Sequence, residues 1–154
     1  MAVLYLDIDG PLLRSAVPGA VWNAGWEIAP HAGAFLRWAV EHHTPYWLTT
    51  RDRSGSHAGI VRAFRECSNW DDALEPLLLR ITPLRWDASK AAAINMQADF
   101  YWIDDDPGPF DLMLLEQQGR RDRWIEANTD VFPDALLAVM AVIDVLTNAY
   151  FAPT

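Results

Sequence analysis

Apolar and polar positions alternate along this chain with two different periods, and the period changes several times. Residues 2–8 (AVLYLDI) are apolar up to a terminal acid and read as a buried strand. Between residues 31 and 42, Phe35, Trp38, Ala39 and His42 recur at helical spacing. Residues 45–50 (PYWLTT), aromatic and β-branched, read as a second strand. Ser54 or Ser56 is placed to cap a helix running to about Cys67, with Ile60, Val61 and Phe64 facing inwards. Residues 76–81 (PLLLRI) are expected to form a third strand, and Ser89 to cap an alanine-rich helix that begins at Lys90. Phe100 to Ile103 (FYWI) reads as a fourth strand, ending in Asp104-Asp105-Asp106 and a Pro107-Gly108 turn. A short helix around 110–118, a strand around 123–128 and a last helix from Asp130–Pro133 to about Tyr150 complete the pattern. The longest irregular stretch is 14–30, with Pro18, Gly19, Gly25 and Pro30; loops of that length inside a domain are more often functional than accidental.

Strands that alternate with helices imply an α/β fold of Rossmann-like, three-layer type, with a central parallel sheet of about five strands and helices on both faces. No internal repeat, low-complexity tract or Ser/Gly linker divides residues 1–154, so a single domain is expected.

Composition removes several classes. One cysteine, Cys67, supports neither an intramolecular disulfide nor a cysteine-based zinc site. The longest uninterrupted apolar run, the nine residues Ala135 to Ile143, falls far short of the roughly 20 needed to span a bilayer. The start, MAVLYLDIDG, carries no basic leader or small-residue cleavage site, so no secretory signal is expected and a cytoplasmic location is inferred. A net charge of −9 argues against membrane association and against non-specific nucleic-acid binding, which run on excess basic charge. Eleven of the 12 basic residues are arginines, and the lone lysine is Lys90. Arginine bias alone leaves such a survivor; a site that needs a compact ammonium would also keep one.

Ligands of open parallel sheets bind beyond the carboxyl ends of the strands. The polar residues at those ends are Asp7 and Asp9, Thr49 and Thr50, and Asp104 to Asp106, with Lys90 shortly before the fourth strand. So much acid on one rim calls for a positive partner, and a hard divalent cation with oxygen ligands, such as Mg²⁺, is the natural one. Arg51, Arg53, Arg62 and Arg65 follow the second strand. They read either as a guide for an anionic substrate or as a solvated surface pairing with Asp52 and Glu66. Trp38, Trp47, Trp102 and Trp124 fall within elements and read as core, whereas Trp22 and Trp26 could line an opening.

The segment Asp7-Ile8-Asp9-Gly10-Pro11-Leu12 resembles the first motif of the haloacid dehalogenase (HAD) superfamily. Thr49, Lys90 and the Asp104-Asp105 pair resemble its second, third and fourth motifs, in the right order, and Pro11 departs from the usual Thr or Val. The resemblance implies a Mg²⁺-dependent phosphatase. Asp7 would be the nucleophile that forms an aspartyl-phosphate, and Asp9 the general acid and base. Thr49 and Lys90 would bind the phosphoryl group. The Asp7 and Asp105 side chains, with the Asp9 backbone carbonyl, would hold the metal, with Asp104 supporting and Asp106 blurring the register. Gly10, Thr50, Arg51 and Arg53 are the expected substrate-binding positions. Asp111 is expected either near the metal through a water or as an exposed acid at a helix start.

The gaps between motifs leave no room for a folded cap domain. The resemblance is therefore to a minimal, capless member whose open site suits a nucleotide, a nucleic-acid end or a phosphoprotein, and which can work as an oligomer. A phosphoacceptor receiver domain would need an acid at the end of the third strand, where the chain has Thr82-Pro83. A catalytically silent binding module and a phosphotransferase of the same superfamily are the alternatives.

Overall fold

The computed structural model describes residues 1–17 and 25–149. Trp22 and the expected end of the last helix at Tyr150 lie outside the described residues. Among the described residues, seven strands and five α-helices follow one another: β1 (Val3–Leu6), β2 (Leu13–Ser15), β3 (Trp26–Ile28), α1 (Ala32–His42), β4 (Thr44–Trp47), α2 (Ala58–Arg65), α3 (Glu75–Arg80), β5 (Thr82–Pro83), β6 (Phe100–Asp104), α4 (Pro109–Gln117), β7 (Trp124–Glu126) and α5 (Ala135–Ala149). Five strands form one parallel sheet in the order β5-β4-β1-β6-β7. The chain builds outwards from β1 on one side and then crosses to β6 on the other. The C-terminal ends of β1 and β6 therefore flank the point where strand order reverses, the usual place for a ligand crevice.

Strand alternation sends side chains to two cores. Leu4, Leu6, Trp47, Tyr101 and Ile103 face the larger, filled by Phe35 and Leu36 of α1, Ile60 and Phe64 of α2, Leu77 and Leu78 of α3, and Leu136, Val139 and Ile143 of α5. Tyr5, Phe100 and Trp102 face the smaller, closed by Leu115 of α4 and by Ala91 and Ile94. The expected Rossmann-like sheet with helices on both faces is thus present. Trp47 and Trp102 are fully buried, while Trp38 and Trp124 pack at the margins of the two cores. No helix among the described residues is long and apolar enough to cross a membrane.

Four local expectations are corrected. PLLLRI is not a strand: α3 covers Glu75–Arg80, and β5 is only Thr82–Pro83. Pro76 sits at the start of α3, where its missing N–H costs nothing. Leu77 and Leu78 are buried while Leu79 is half exposed, which is helical rather than strand alternation. The alanine-rich helix from Lys90 is a single 3₁₀ turn, Ala91–Ala93, because the chain is already extended at Ile94. The 14–30 stretch is not wholly irregular, since β2 and β3 form an antiparallel ribbon tied by an Arg14–Glu27 ion pair of 2.7 Å. The α2 helix starts at Ala58, later than expected, with the Ser56 hydroxyl accepting from the Ala58 N–H.

Candidate functional site

The register of the sheet places the acids. Leu6 pairs with Ile103, so the next residues along β1 and β6, Asp7 and Asp104, lie side by side. Both are buried, with Asp7 5% and Asp104 1% exposed. Asp105 follows, and ligand oxygens of Asp7, Asp104 and Asp105 all lie within 4.8 Å of one another. Asp106 is exposed and outside this group; its backbone N–H donates to Asp104 Oδ1 at 3.0 Å.

Lys90 is the cation of the cluster. Its Nζ lies 2.8 Å from Asp104 Oδ2 and 3.0 Å from Asp7 Oδ1. The Asp104 contact is a hydrogen bond. The Asp7 contact has ion-pair distance without hydrogen-bond alignment, and Asp7 Oδ1 is a buried oxygen with no hydrogen-bond partner. Burial, followed by repulsion from Asp104, pushes the Asp7 carboxyl up to about 7 against the pull of Lys90. Burial and Asp104 likewise raise Asp105 to about 6. Burial opposes the charge on Lys90, but the two carboxylates outweigh it and hold the ammonium above its ordinary pKa. One ammonium cannot compensate three clustered acids.

Lys90 is held by a residue whose role is not visible from sequence spacing. The Asp111 carboxylate, in the first turn of α4, accepts from the Ser89 hydroxyl and from the Ala91 N–H. The Ser89 hydroxyl in turn accepts from the Ala92 N–H at 3.2 Å. Asp111 therefore fixes the turn that carries Lys90, and it is half-buried rather than an exposed acid at a helix start.

Gly10 takes φ +100°, and a Cβ there would overlap the Asp105 carboxylate, so only glycine admits the approach. Its carbonyl accepts from both the Thr129 hydroxyl at 2.6 Å and the Thr129 N–H at 3.0 Å. Neighbouring Pro11 is buried in a turn closed by the N–H groups of Gly10, Leu12 and Leu13, so its missing N–H leaves no bond unmade. Thr49 is buried and accepts from the Arg51 N–H at 3.1 Å, whereas Thr50 is exposed.

Asp9 stands apart from the three clustered carboxylates. Arg51 Nε and Nη2 grip its two oxygens at 2.7–3.1 Å, and the Arg51 guanidinium lies 5.1 Å from the Trp26 ring centroid of β3. Arg53 instead stacks on Trp86, and Arg65 pairs with Glu75 rather than with the expected Asp52 or Glu66. Arg51, Arg53 and Arg65 thus each meet a different partner.

The buried, unbonded Asp7 oxygen among three carboxylates and a single ammonium fits a hard divalent cation. Comparison of the chain with protein-family models, with curated proteins and with solved structures returns no match.

Proposed function

We propose that the chain is a capless HAD-type phosphatase that hydrolyses a phosphomonoester through an aspartyl-phosphate on Asp7. The observation that carries this reading is the Asp7 carboxylate itself. It is buried at the strand-order reversal, 3.0 Å from Lys90 and lacking a hydrogen bond to one oxygen. A nucleophile needs such a partly uncompensated oxygen, and a dianionic phosphoryl group needs the ammonium beside it.

In this reading an Asp7 oxygen attacks phosphorus, and the bond to the ester oxygen breaks as Asp9 gives that oxygen a proton. Asp9 then takes a proton from water, which attacks the same phosphorus and frees inorganic phosphate and Asp7. Arg51 orients Asp9 through the two-nitrogen contact. Lys90 and the Thr49 hydroxyl bind phosphoryl oxygens. The Asp7 and Asp105 carboxylates, with the Asp9 carbonyl, would hold Mg²⁺, and Asp104 supports them while anchoring Lys90. Bound there, the ion supplies charge neutralisation for the phosphoryl oxygens. We place this reaction in the cytoplasm.

The test is hydrolysis of an aryl phosphate with Mg²⁺. Wild-type protein should release phosphate, and EDTA or Asp7→Asn should abolish the release. Activity that persists in Asp7→Asn removes Asp7 as the nucleophile.

A further inference from the structure

The Arg53 side chain was expected beside the nucleophile, but the structure builds it into a separate cavity. That cavity, about 420 Å³, is lined by Arg53, Ser54, Arg85, Trp86 and Asp87. Its walls are tied together through the backbone. Ser54 and Arg85 form an isolated antiparallel bridge, the Trp86 N–H donates to the Arg53 carbonyl at 3.2 Å, and Gly55 at φ +83° packs against Arg85. Trp86 links the cavity to the acidic site, because its indole N–H donates to the Thr49 carbonyl at 2.8 Å.

The charges of the cavity are unsatisfied in one direction. The Arg53 guanidinium lies 4.1 Å from the Trp86 ring centroid, an orientation that occupies its face and leaves its N–H edges free. Its only ion pair among the described residues is with Asp87 at 3.9 Å, and that carboxylate is fully exposed, so the pair is weak. The Arg85 side chain makes no hydrogen bond or ion pair with the described residues. The nearby Asp52 carboxylate is already committed to the Ser54 N–H, the Ser54 hydroxyl and the Gly59 N–H. Two guanidinium groups with one loose counter-ion around an open cavity make an anion site in a protein of net charge −9.

The geometry points to a second phosphate-binding subsite: Arg53 and Arg85, with Trp86 as the platform for Arg53, take a second phosphate group of the substrate whose reacting phosphate sits at Asp7. This rests on the phosphatase reading of Asp7 and adds a substrate class to it, a phosphomonoester that also bears a phosphate elsewhere. Fork-shaped guanidinium groups match phosphate oxygens in pairs, which a lysine-lined pocket would not do. The second phosphate can come from a small bisphosphate or from a diester linkage, and both present the same oxygens.

The test compares kcat/KM for four probes: an aryl phosphate, adenosine 3′-monophosphate, adenosine 3′,5′-bisphosphate, and a diadenosine dinucleotide with a terminal 3′-phosphate. Wild-type protein should prefer at least one of the two doubly phosphorylated probes over adenosine 3′-monophosphate by tenfold or more, through KM. Preference for the bisphosphate identifies a small-molecule source, and preference for the dinucleotide a diester source. Arg85→Gln should cut the preference by fivefold or more and leave aryl phosphate hydrolysis within twofold, and Arg53→Gln added to it should erase the preference. Calorimetric binding of adenosine 3′,5′-bisphosphate should weaken by at least tenfold in the same double variant. A wild-type enzyme with no such preference, or a double variant that loses all four activities equally, overturns the subsite while leaving the Asp7 reading intact. Absence of any Asp7-dependent hydrolysis overturns the phosphatase reading instead.

Discussion

Arg51 grips Asp9 with a two-nitrogen fork, Nε at 2.9 Å and Nη2 at 2.7 Å, in a partly buried setting. This carboxylate sits two residues past Asp7 yet does not join the Asp7–Asp104–Asp105 group. The pair sets the direction of Asp9 and, through Trp26, connects it to the β2–β3 ribbon.

If Asp9 moves protons in the reaction, releasing it from Arg51 should slow turnover more than binding. Arg51→Ala is expected to lower kcat on an aryl phosphate by about 10–100-fold, a fraction of what general acid–base catalysis supplies. Arg51→Lys should recover only part of the loss, since an ammonium cannot reproduce the fork. KM should change far less than kcat in Arg51→Ala, whereas a purely structural role would lower Tm in step with kcat.

Lys90 is the one described cation that reaches both Asp7 and Asp104. Lys90→Ala should destabilise the protein by about 3–5 kcal/mol at neutral pH, because two buried carboxylates lose their partner. Urea unfolding at pH 5 should show a smaller loss, since the raised Asp7 carboxyl is then protonated and needs no counter-charge.

The Asp7 carboxyl, pushed up to about 7, favours the unfolded chain as pH rises, because its unfolded pKa is near the ordinary value of 3.8. In metal-free protein the neutral form is retained on folding, so the stability it permits is complete below about pH 4 and lost as pH rises to about 7. Asp7→Asn should therefore be more stable than wild type at pH 8, with the advantage shrinking towards pH 4. Thermal unfolding across that range in EDTA measures it. Adding Mg²⁺ at pH 8 should raise the wild-type Tm and should barely move that of Asp7→Asn.

Gly10→Ala places a methyl group where the Asp105 carboxylate sits, at a φ that alanine resists by about 1–2 kcal/mol. The Mg²⁺-induced rise in Tm should fall to less than half of the wild-type value, as read by thermal unfolding with and without Mg²⁺.

Much of the sheet is legible in the sequence because β1, β4 and β6 are short apolar runs ending in polar residues, and burial on both faces produces that pattern. The gathering of Asp7, Asp104, Asp105 and Lys90 follows from parallel strands ending on one rim. PLLLRI misleads because a short apolar run fits either period, and only the exposure of Leu79 separates them. The alanine run misleads because high helix propensity gives way to the need to bury Ile94 against β6. Asp111 and Trp86 carry no local signal. Each acts through a partner 20 or more residues away, Ala91 for Asp111 and Thr49 for Trp86. The arginines after β4 share one composition but have three fates, and their partners Asp9, Trp86 and Glu75 are set by packing alone.

The covalent step on Asp7 is open to direct observation. Protein turning over a phosphomonoester with Mg²⁺ is quenched in acid, reduced with borohydride and digested, and the peptide containing residue 7 is read by mass spectrometry. An aspartyl-phosphate is reduced to homoserine, so conversion at position 7, enriched in Asp9→Asn where dephosphorylation is slowed, is the expected result. Steady phosphate release with Asp7 unmodified in both proteins would contradict the proposed function at its centre.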